Sequence, residues 1–429
     1  MSDLKSETAL VCCAPLFVSL AERLARDYGK VLLHVPHSGS FPTMNHGMVG
    51  YGLPNVELVD DVFGPHFEEV GVFVFPDLGY GSLQVQLETM GKRVWGARHG
   101  EDLELYREVC KKRMEQLGLP VQPWRIVTGV TALRAHLKAN KAQHVKINRW
   151  RGVTESFFAP NYELVETKLD GLAHDLGAFK EMLEFIVEDD LPDRVEIGTD
   201  TFCIDGDLPK TTLVGIEAKD IGYVGQVREW AQIPEPLRRW NEKMAPLFEK
   251  AGSRTFLSNE IRIGEDQIPY MIDATIRLPS PPGELIQELF TNLSEIIWEG
   301  ADGKLVEPEM AGKWGVEVII KSAWAEKNHQ PIIVPKKYEQ FLKLYNSVMI
   351  DGKRFVVPQD EEMSEVGAVV GYGETLEDAI EMAREVGESV EGYGVKFSLG
   401  AVDQVKEQIE KIDELGVSPF QVEQNKEKK

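Results

Sequence analysis

The first hundred residues alternate short apolar runs with helix-like stretches, and this alternation is the strongest constraint on the fold. Strands that alternate with helices predict a parallel sheet covered by helices. Pro15 stands in the first turn of the first helix-like stretch and Gly29 directly after it, as is usual at helix ends. No Gly-x-Gly-x-x-Gly follows the first run, so a dinucleotide-binding domain is not indicated. The predicted strands are residues 9–14, 30–35, 72–76 and 93–96, and the predicted helices are residues 15–28 and 81–90.

Size and charge exclude several classes of protein. With 429 residues, the chain is too long for one ordinary domain. Its net charge of −23 repels a phosphate backbone, so nucleic acid is not an expected partner. No signal-peptide pattern opens the chain, and no apolar run approaches the roughly 20 residues that span a bilayer. The four cysteines have no zinc-type spacing. We therefore expect a cytoplasmic protein without membrane partners, either a monomer or a homodimer.

Beyond residue 100 the patterns predict mixed α and β structure. Residues 195–204 and 211–217 alternate around a turn and predict a hairpin. The last segment shows one clear helix, at residues 375–387. The other predicted helices are residues 101–117, 131–140, 170–183, 237–250 and 284–298, and the other predicted strands are residues 144–148, 185–188, 255–263, 270–276 and 366–371.

Two acidic residues on neighbouring predicted strands form the sharpest candidate site. Glu260 and Asp273 lie on either side of the turn at residues 264–269. Antiparallel pairing can bring two such carboxylates together on one face. They repel each other unless a hard cation lies between them, and magnesium bridging to phosphates is the usual solution. The alternative interpretation is a pair of surface acids on a solvated hairpin.

The segment that contains Asp273 also resembles a known family. A Glu, a turn and then an acid-x-Asn-x-Arg strand is similar to the metal-binding end of the ATP-grasp superfamily, and Asp273 and Arg277 fall on that pattern with Glu260 upstream. Thr275 stands where the family usually has Asn. The resemblance implies that Glu260, Asp273 and Thr275 hold Mg²⁺. It also implies that Arg277 steadies the transferred phosphoryl group or the acylphosphate.

Two further segments resemble the family's nucleotide-binding elements. Residues 103–120 look like the helix that carries the first nucleotide-contacting cation, with Arg107 where the family usually has Lys. Lys146, between two apolar residues, resembles the lysine that reaches the ATP phosphates. Both cations would then contact the α- and β-phosphates. The alternative for Lys146 is a residue that merely edges a strand.

The loop and strands after Lys146 continue the resemblance. The family has a glycine-rich phosphate loop here, whereas this loop carries Arg149 and Arg151, whose guanidinium groups can grip phosphate. A solvated basic loop is the alternative. Glu188 matches the acid that often binds ribose. Glu196 matches a strand residue that faces the site, or it is simply exposed.

The resemblance extends over most of the chain and is closest in layout to phosphoribosylamine–glycine ligase. Residues 366–379 resemble the closing module of that enzyme and of biotin carboxylase. The glycine- and threonine-rich substrate segment is not recognisable, and residues 217–225 stand in its place. The implied architecture is α/β and α+β multidomain. It comprises a Rossmann-like βαβ domain at 1–100, an ATP-grasp nucleotide-binding domain at 101–300 with a lid lobe at about 121–190, and a C-terminal α+β module at 301–429.

The implied activity is an ATP- and Mg²⁺-dependent ligase that joins a carboxylate to an amine through an acylphosphate. The acid and the amine would be small molecules, with amino acids among the candidate acids. Two other classes remain open. One is a catalytically silent nucleotide-binding regulatory protein of the same fold, suggested by Thr275 and Arg107. The other is a small-molecule binding module built on the N-terminal domain.

Overall fold

A computed structural model describes residues 3–37, 44–149, 156–219, 221–358 and 364–420. The N-terminal part forms a five-stranded sheet of order β3-β2-β1-β4-β5, in which all pairs are parallel. This confirms the parallel sheet expected from the alternating pattern, although the short strand β3 was not predicted. The strands are β1 (Thr8–Cys12), β2 (Lys30–His34), β3 (Val56–Leu58), β4 (Val72–Val74) and β5 (Val94–Trp95), with helices α1 (Val18–Leu24), α2 (Met44–Met48) and α3 (Gly81–Thr89).

A four-stranded antiparallel sheet of order β6-β9-β7-β8 follows. Its helices bury Leu133 and Leu169 against the sheet. The helix predicted at 170–183 instead begins at Tyr162, where the Asn161 side chain accepts a hydrogen bond from the Leu164 amide as an N-cap. The elements are α4 (Asp102–Leu105), α5 (Arg107–Gln116), β6 (Trp124–Thr128), α6 (Val130–Ala139), β7 (Gln143–Ile147), β8 (Ser156–Ala159), α7 (Tyr162–Leu176) and β9 (Glu184–Asp189).

An eight-stranded sheet of order β14-β13-β10-β11-β12-β15-β20-β17 dominates the rest of the chain, beside a three-stranded sheet of order β16-β19-β18. This larger sheet includes strands from both sides of the predicted domain boundary between residues 300 and 301, because β12 pairs with β15. Its strands are β10 (Val195–Ile204), β11 (Thr211–Ala218), β12 (Gly222–Glu229), β13 (Arg254–Ile263), β14 (Tyr270–Thr275), β15 (Trp314–Lys321), β17 (Leu342–Leu344) and β20 (Glu365–Gly373). The smaller sheet contains β16 (Gln330–Ile332), β18 (Ser347–Ile350) and β19 (Lys353–Val356), and the helices are α8 (Glu235–Ala251), α9 (Gly283–Leu289), α10 (Leu293–Ala301), α11 (Leu376–Glu388) and α12 (Gly400–Glu414).

The helix predicted at residues 101–117 is interrupted at Tyr106, which has non-helical φ and ψ of −116° and 82°. Tertiary contacts explain the break. On one side Glu104 accepts a hydrogen bond of 2.6 Å from the Ile276 amide. On the other side the Asn148 side chain accepts one of 3.1 Å from the Glu108 amide, in the first turn of α5. The two halves are thus fixed to residues that directly follow two different strands, β14 and β7.

The helix predicted at 284–298 is also two helices, α9 and α10, separated at the fully buried Phe290. Helix α11 confirms the predicted C-terminal helix and carries a capping box formed by Thr375 and Asp378. Helix α12 was not predicted. Its apolar side, including Val405 and Ile412, packs into the core beside β10, β11 and β12. Among the residues described, no helix combines the length and apolarity needed to span a bilayer.

Candidate functional site

Lys146 links the four-stranded sheet to the eight-stranded sheet. Its Nζ donates a 2.8 Å hydrogen bond to Oδ2 of Asp273 on edge strand β14, and lies 3.6 Å from Oε2 of Glu188 on β9. The lysine is only 8% exposed. Burial alone would lower the pKa of Lys146, but Asp273 and Glu188 raise it on balance, so the ammonium stays charged. The structure thus brings three sequence-predicted site residues together.

Glu188 lies between two lysines rather than beside one. It is almost fully buried and forms ion pairs with Lys146 and with Lys111 of α5. Burial acts to raise the pKa of Glu188, but the two lysines lower it on balance. The sequence patterns do not single out Lys111. The available signal was its position one helical turn after Arg107, which places both cations on one face of α5. Contact of Glu188 with a ribose stays a prediction.

The Glu260/Asp273 pair has the register that the hairpin pattern predicts. The two residues are cross-strand partners on β13 and β14, with a register shift directly after Glu260, and Thr275 lies opposite Ser258. Because alternate residues of a strand share a face, Thr275 faces the same side as the two acids. The pKa of Glu260 is well above its usual range, first because of burial and then because of Glu196, Glu217 and Asp273. The carboxylates therefore repel one another.

These residues fit a magnesium ion bound together with phosphates. Within the described ranges, no three His, Cys, Asp or Glu side chains converge to form a protein-only metal site. Magnesium usually takes only one or two carboxylates and completes its shell with water and substrate phosphates. Burial is the largest cause of the raised Glu260 pKa, and a cation between Glu260 and Asp273 would offset the smaller contributions of Glu196, Glu217 and Asp273.

A cavity of about 620 Å³ opens beside this cluster, within the size range of small-molecule sites. Lys146, Glu196, Glu260 and Asp273 contribute to its lining, as does Gln404 of α12. Glu196 lies opposite Arg262 across β10 and β13 and accepts a 2.7 Å hydrogen bond from Nε of that residue. Glu196 thus lines the cavity, and its contact with a nucleotide stays a prediction. Its partner Arg262 was not predicted.

Arg277 lies at the junction between β14 and the N-terminal sheet. Its Nε donates a 3.1 Å hydrogen bond to Glu104, and its guanidinium lies 5.7 Å from the centre of the Phe17 ring. The Leu278 amide donates a hydrogen bond of 2.9 Å to the Pro76 carbonyl, just after the end of β4. Arg277 is therefore placed between the acid pair and the carboxyl ends of the parallel strands, where ligands bind in open α/β sheets.

The remaining predicted cations are less closely grouped. Arg107 is buried, and its Nη1 donates a 2.6 Å hydrogen bond to the carbonyl of Ile147, next to Lys146. Arg107 therefore supports the strand that carries Lys146. Arg149 lies 5.5 Å from the centre of the Tyr106 ring. Arg151 falls outside the described residues.

Comparison with known proteins supports the fold at low sequence identity. No family model matches the sequence, and no curated protein sequence matches it significantly. Phosphoribosylamine–glycine ligase from Thermotoga maritima superimposes with a TM-score of 0.66 and 17% identity, over 91% of this chain and 98% of that one.

Two further structures of ATP-grasp enzymes superimpose over most of the chain. The biotin carboxylase domain of Hydrogenobacter thermophilus 2-oxoglutarate carboxylase, solved with MgADP, ADP and bicarbonate, gives a TM-score of 0.63 at 14% identity over 91% of both chains. L-Amino acid ligase from Bacillus licheniformis gives 0.58 at 12% identity over 90% of this chain and 98% of that one. The architecture and these superpositions together show that the chain has the ATP-grasp fold.

Proposed function

We propose that this protein is an ATP- and Mg²⁺-dependent ligase that joins a small carboxylic acid to a small amine. The observation that carries the proposal is the contact of Lys146 with Asp273 and Glu188 beside the 620 Å³ cavity. A buried ammonium that pairs with two carboxylates can contact a phosphate instead once ATP and Mg²⁺ bind. Two proteins of similar structure are ligases, phosphoribosylamine–glycine ligase and L-amino acid ligase, which supports the proposal.

The nucleotide would be held by cations from two elements. Lys146 on β7 and Lys111 on α5 are both buried and both contact Glu188. Charge-assisted contacts of lysine with phosphate are stronger than neutral hydrogen bonds, and their strength rises in a water-poor site. We assign Lys111 rather than Arg107 as the second phosphate-contacting cation. Arg107 is engaged with the Ile147 carbonyl and so orients Lys146.

The proposed reaction has two steps that need no protein nucleophile. The substrate carboxylate attacks the γ-phosphate of ATP, which breaks the bond to ADP and gives an acylphosphate. The amine then attacks the acyl carbon and releases inorganic phosphate, and the amine proton is lost to solvent. Magnesium held by Glu260 and Asp273, with Thr275 beside them, would supply charge neutralisation at the phosphates. The remaining contribution of the protein is positioning.

Arg277 would stabilise the acid substrate and the acylphosphate. It lies between the acid pair and the N-terminal sheet, so it can contact a carboxylate bound at the ends of the parallel strands. Contact of Arg149 and Arg151, in the loop after β7, with the phosphates stays a prediction. Most of that loop lies outside the described residues.

Replacement of Asp273 by Asn should weaken ATP binding in the presence of Mg²⁺ by roughly tenfold or more, because one charged metal ligand is lost. Without Mg²⁺ the same variant should differ little from the parent protein. Glu265→Gln is the matched control, since Glu265 is an exposed acid in the turn of the same hairpin. Isothermal titration calorimetry with and without Mg²⁺ measures both constants. An equal loss in the two conditions would remove Asp273 from the metal site.

Lys111→Met should raise the dissociation constant for MgATP by roughly tenfold, because a charge-assisted phosphate contact contributes about 1.5–3 kcal/mol. Lys112→Met is the control. Lys112 is adjacent in sequence but exposed, and it pairs with Glu108 on the helix surface. Its replacement should change the constant less than about twofold. If Lys111→Met and Lys112→Met bind MgATP equally well, then Lys111 forms only the ion pair with Glu188 and does not contact the nucleotide.

ADP release tests the ligase assignment directly. Amino acids and other small acids are combined with small amines, and ADP is measured in the presence of MgATP. A ligase releases ADP in proportion to amide product and only when a suitable acid is present. MgATP binding without ADP release across the whole panel would favour the silent regulatory protein.

A further inference from the structure

A second cavity lies at the edge of the eight-stranded sheet that is opposite to the proposed nucleotide site. It has a volume of about 440 Å³ and is formed where α1 meets the C-terminal part of the chain around β17 and β19. Strand β17 is the edge of the eight-stranded sheet opposite to β14, which carries Asp273. The two cavities share no lining residue among those the structure describes. The second cavity is therefore separate from the ATP site.

The second cavity is basic in a strongly acidic protein. Two carboxylates contribute to its lining, Glu22 and Glu339, and one more, Glu288, lies beneath it. Five cations also line the cavity, so it has two more positive than negative charges. The whole chain has a net charge of −23. The five cations are Arg26, Lys336, Lys337, Lys343 and Arg354.

A single buried acid, Glu288, pairs with two of these cations. Arg26 donates two hydrogen bonds to the carboxylate of Glu288, of 2.8 Å and 2.6 Å, and the buried ammonium of Lys343 contacts the same carboxylate. One negative charge thus serves two cations. Burial lowers the pKa of Lys343 to about 8, while Glu288 opposes the shift and Arg26 adds to it. A second anion, bound in the cavity, would stabilise the charged form of Lys343.

We propose that this cavity binds the phosphate group of a small phosphorylated metabolite. A phosphate dianion matches the excess of two positive charges, and a volume of about 440 Å³ leaves room for an organic part. Lys343 anchors the anion from the floor of the cavity. Lys336 and Lys337, both exposed, contact it from the outer side. Inorganic phosphate has the same charged group and is the second source of this chemistry.

Calorimetric titration of the full chain with glucose 6-phosphate and with inorganic phosphate tests the proposal. At least one probe should bind with a dissociation constant below roughly 1 mM, and Lys343→Met should weaken it by roughly tenfold. Arg26 donates two hydrogen bonds to Glu288 in the parent protein, and these should persist in this variant. Tighter binding of glucose 6-phosphate assigns the site to a phosphorylated metabolite, and equal binding assigns it to free phosphate.

Two further variants keep the test decisive if Lys343→Met does not fold. Lys336→Ala combined with Lys337→Ala removes two exposed cations of the site and should weaken binding by at least about threefold. Lys243→Ala combined with Lys250→Ala removes the same charge from exposed positions on α8 and should have no such effect. The proposal is overturned if neither probe binds. It is also overturned if Lys146→Ala abolishes binding while the variants at Lys343, Lys336 and Lys337 do not, because the probe then occupies the other cavity.

Discussion

Lys146→Ala should lower the rate of ATP-dependent ligation by roughly 10²–10³-fold and raise the ATP dissociation constant by at least roughly tenfold. The substitution removes the ammonium that contacts Asp273 and lies 3.6 Å from Glu188 at the cavity. Lys141→Ala is the control, because Lys141 is an exposed lysine just before the same strand. Calorimetry gives the binding constant, and ADP release gives the rate.

The same substitution should also destabilise the protein, because it removes a buried cation that pairs with Asp273 and Glu188. Lys111 still pairs with Glu188 and Asp273 is partly exposed, so the loss should stay below the roughly 3–5 kcal/mol that an unpaired buried charge costs. Unfolding in urea measures that loss, and nucleotide binding is then measured at a temperature where the variant is folded. Lys146→Arg, which keeps the charge, should recover part of the affinity. A folded Lys146→Ala protein with the parent's ATP affinity would assign Lys146 to the sheet–sheet contact alone.

Arg277→Met should lower the ligation rate by roughly 10²–10³-fold while changing MgATP affinity by less than about threefold. We expect this because the Arg277 guanidinium contacts Glu104 and lies over Phe17, away from Lys111 and Lys146. Arg239→Met, on the exposed side of α8, is the control. An equal loss of MgATP affinity and of rate would show that Arg277 binds the nucleotide and not the reacting acid.

The parts of the site that depend on short-range patterns could be predicted from the sequence. The alternating residues on both sides of the turn at 264–269 predicted two paired strands, and Glu260 and Asp273 are cross-strand partners. The bounds of β10 were predicted without error, because its alternation and the following turn at Asp205 are both local signals. The register of a hairpin is set by its own turn and pattern.

Contacts between distant segments were not accessible in this way. Lys146 and Asp273 are 127 residues apart, and Glu104 and Ile276 are 172 apart, so neither the ion pair nor the helix break at Tyr106 follows from any local pattern. Helix α12 is a different case. Its buried positions Val402, Val405, Ile409 and Ile412 have helical spacing, and this signal was present in the sequence.

Titration of the parent protein with ATP, with and without Mg²⁺, tests the central claim most directly. The claim is that Glu260 and Asp273 hold a cation against phosphates that Lys146 and Lys111 also contact. Affinity should be at least roughly tenfold higher with Mg²⁺, because the cation relieves the repulsion at Glu260 and joins it to the phosphates. Equal affinity in the two conditions, or no binding in either, would contradict the account.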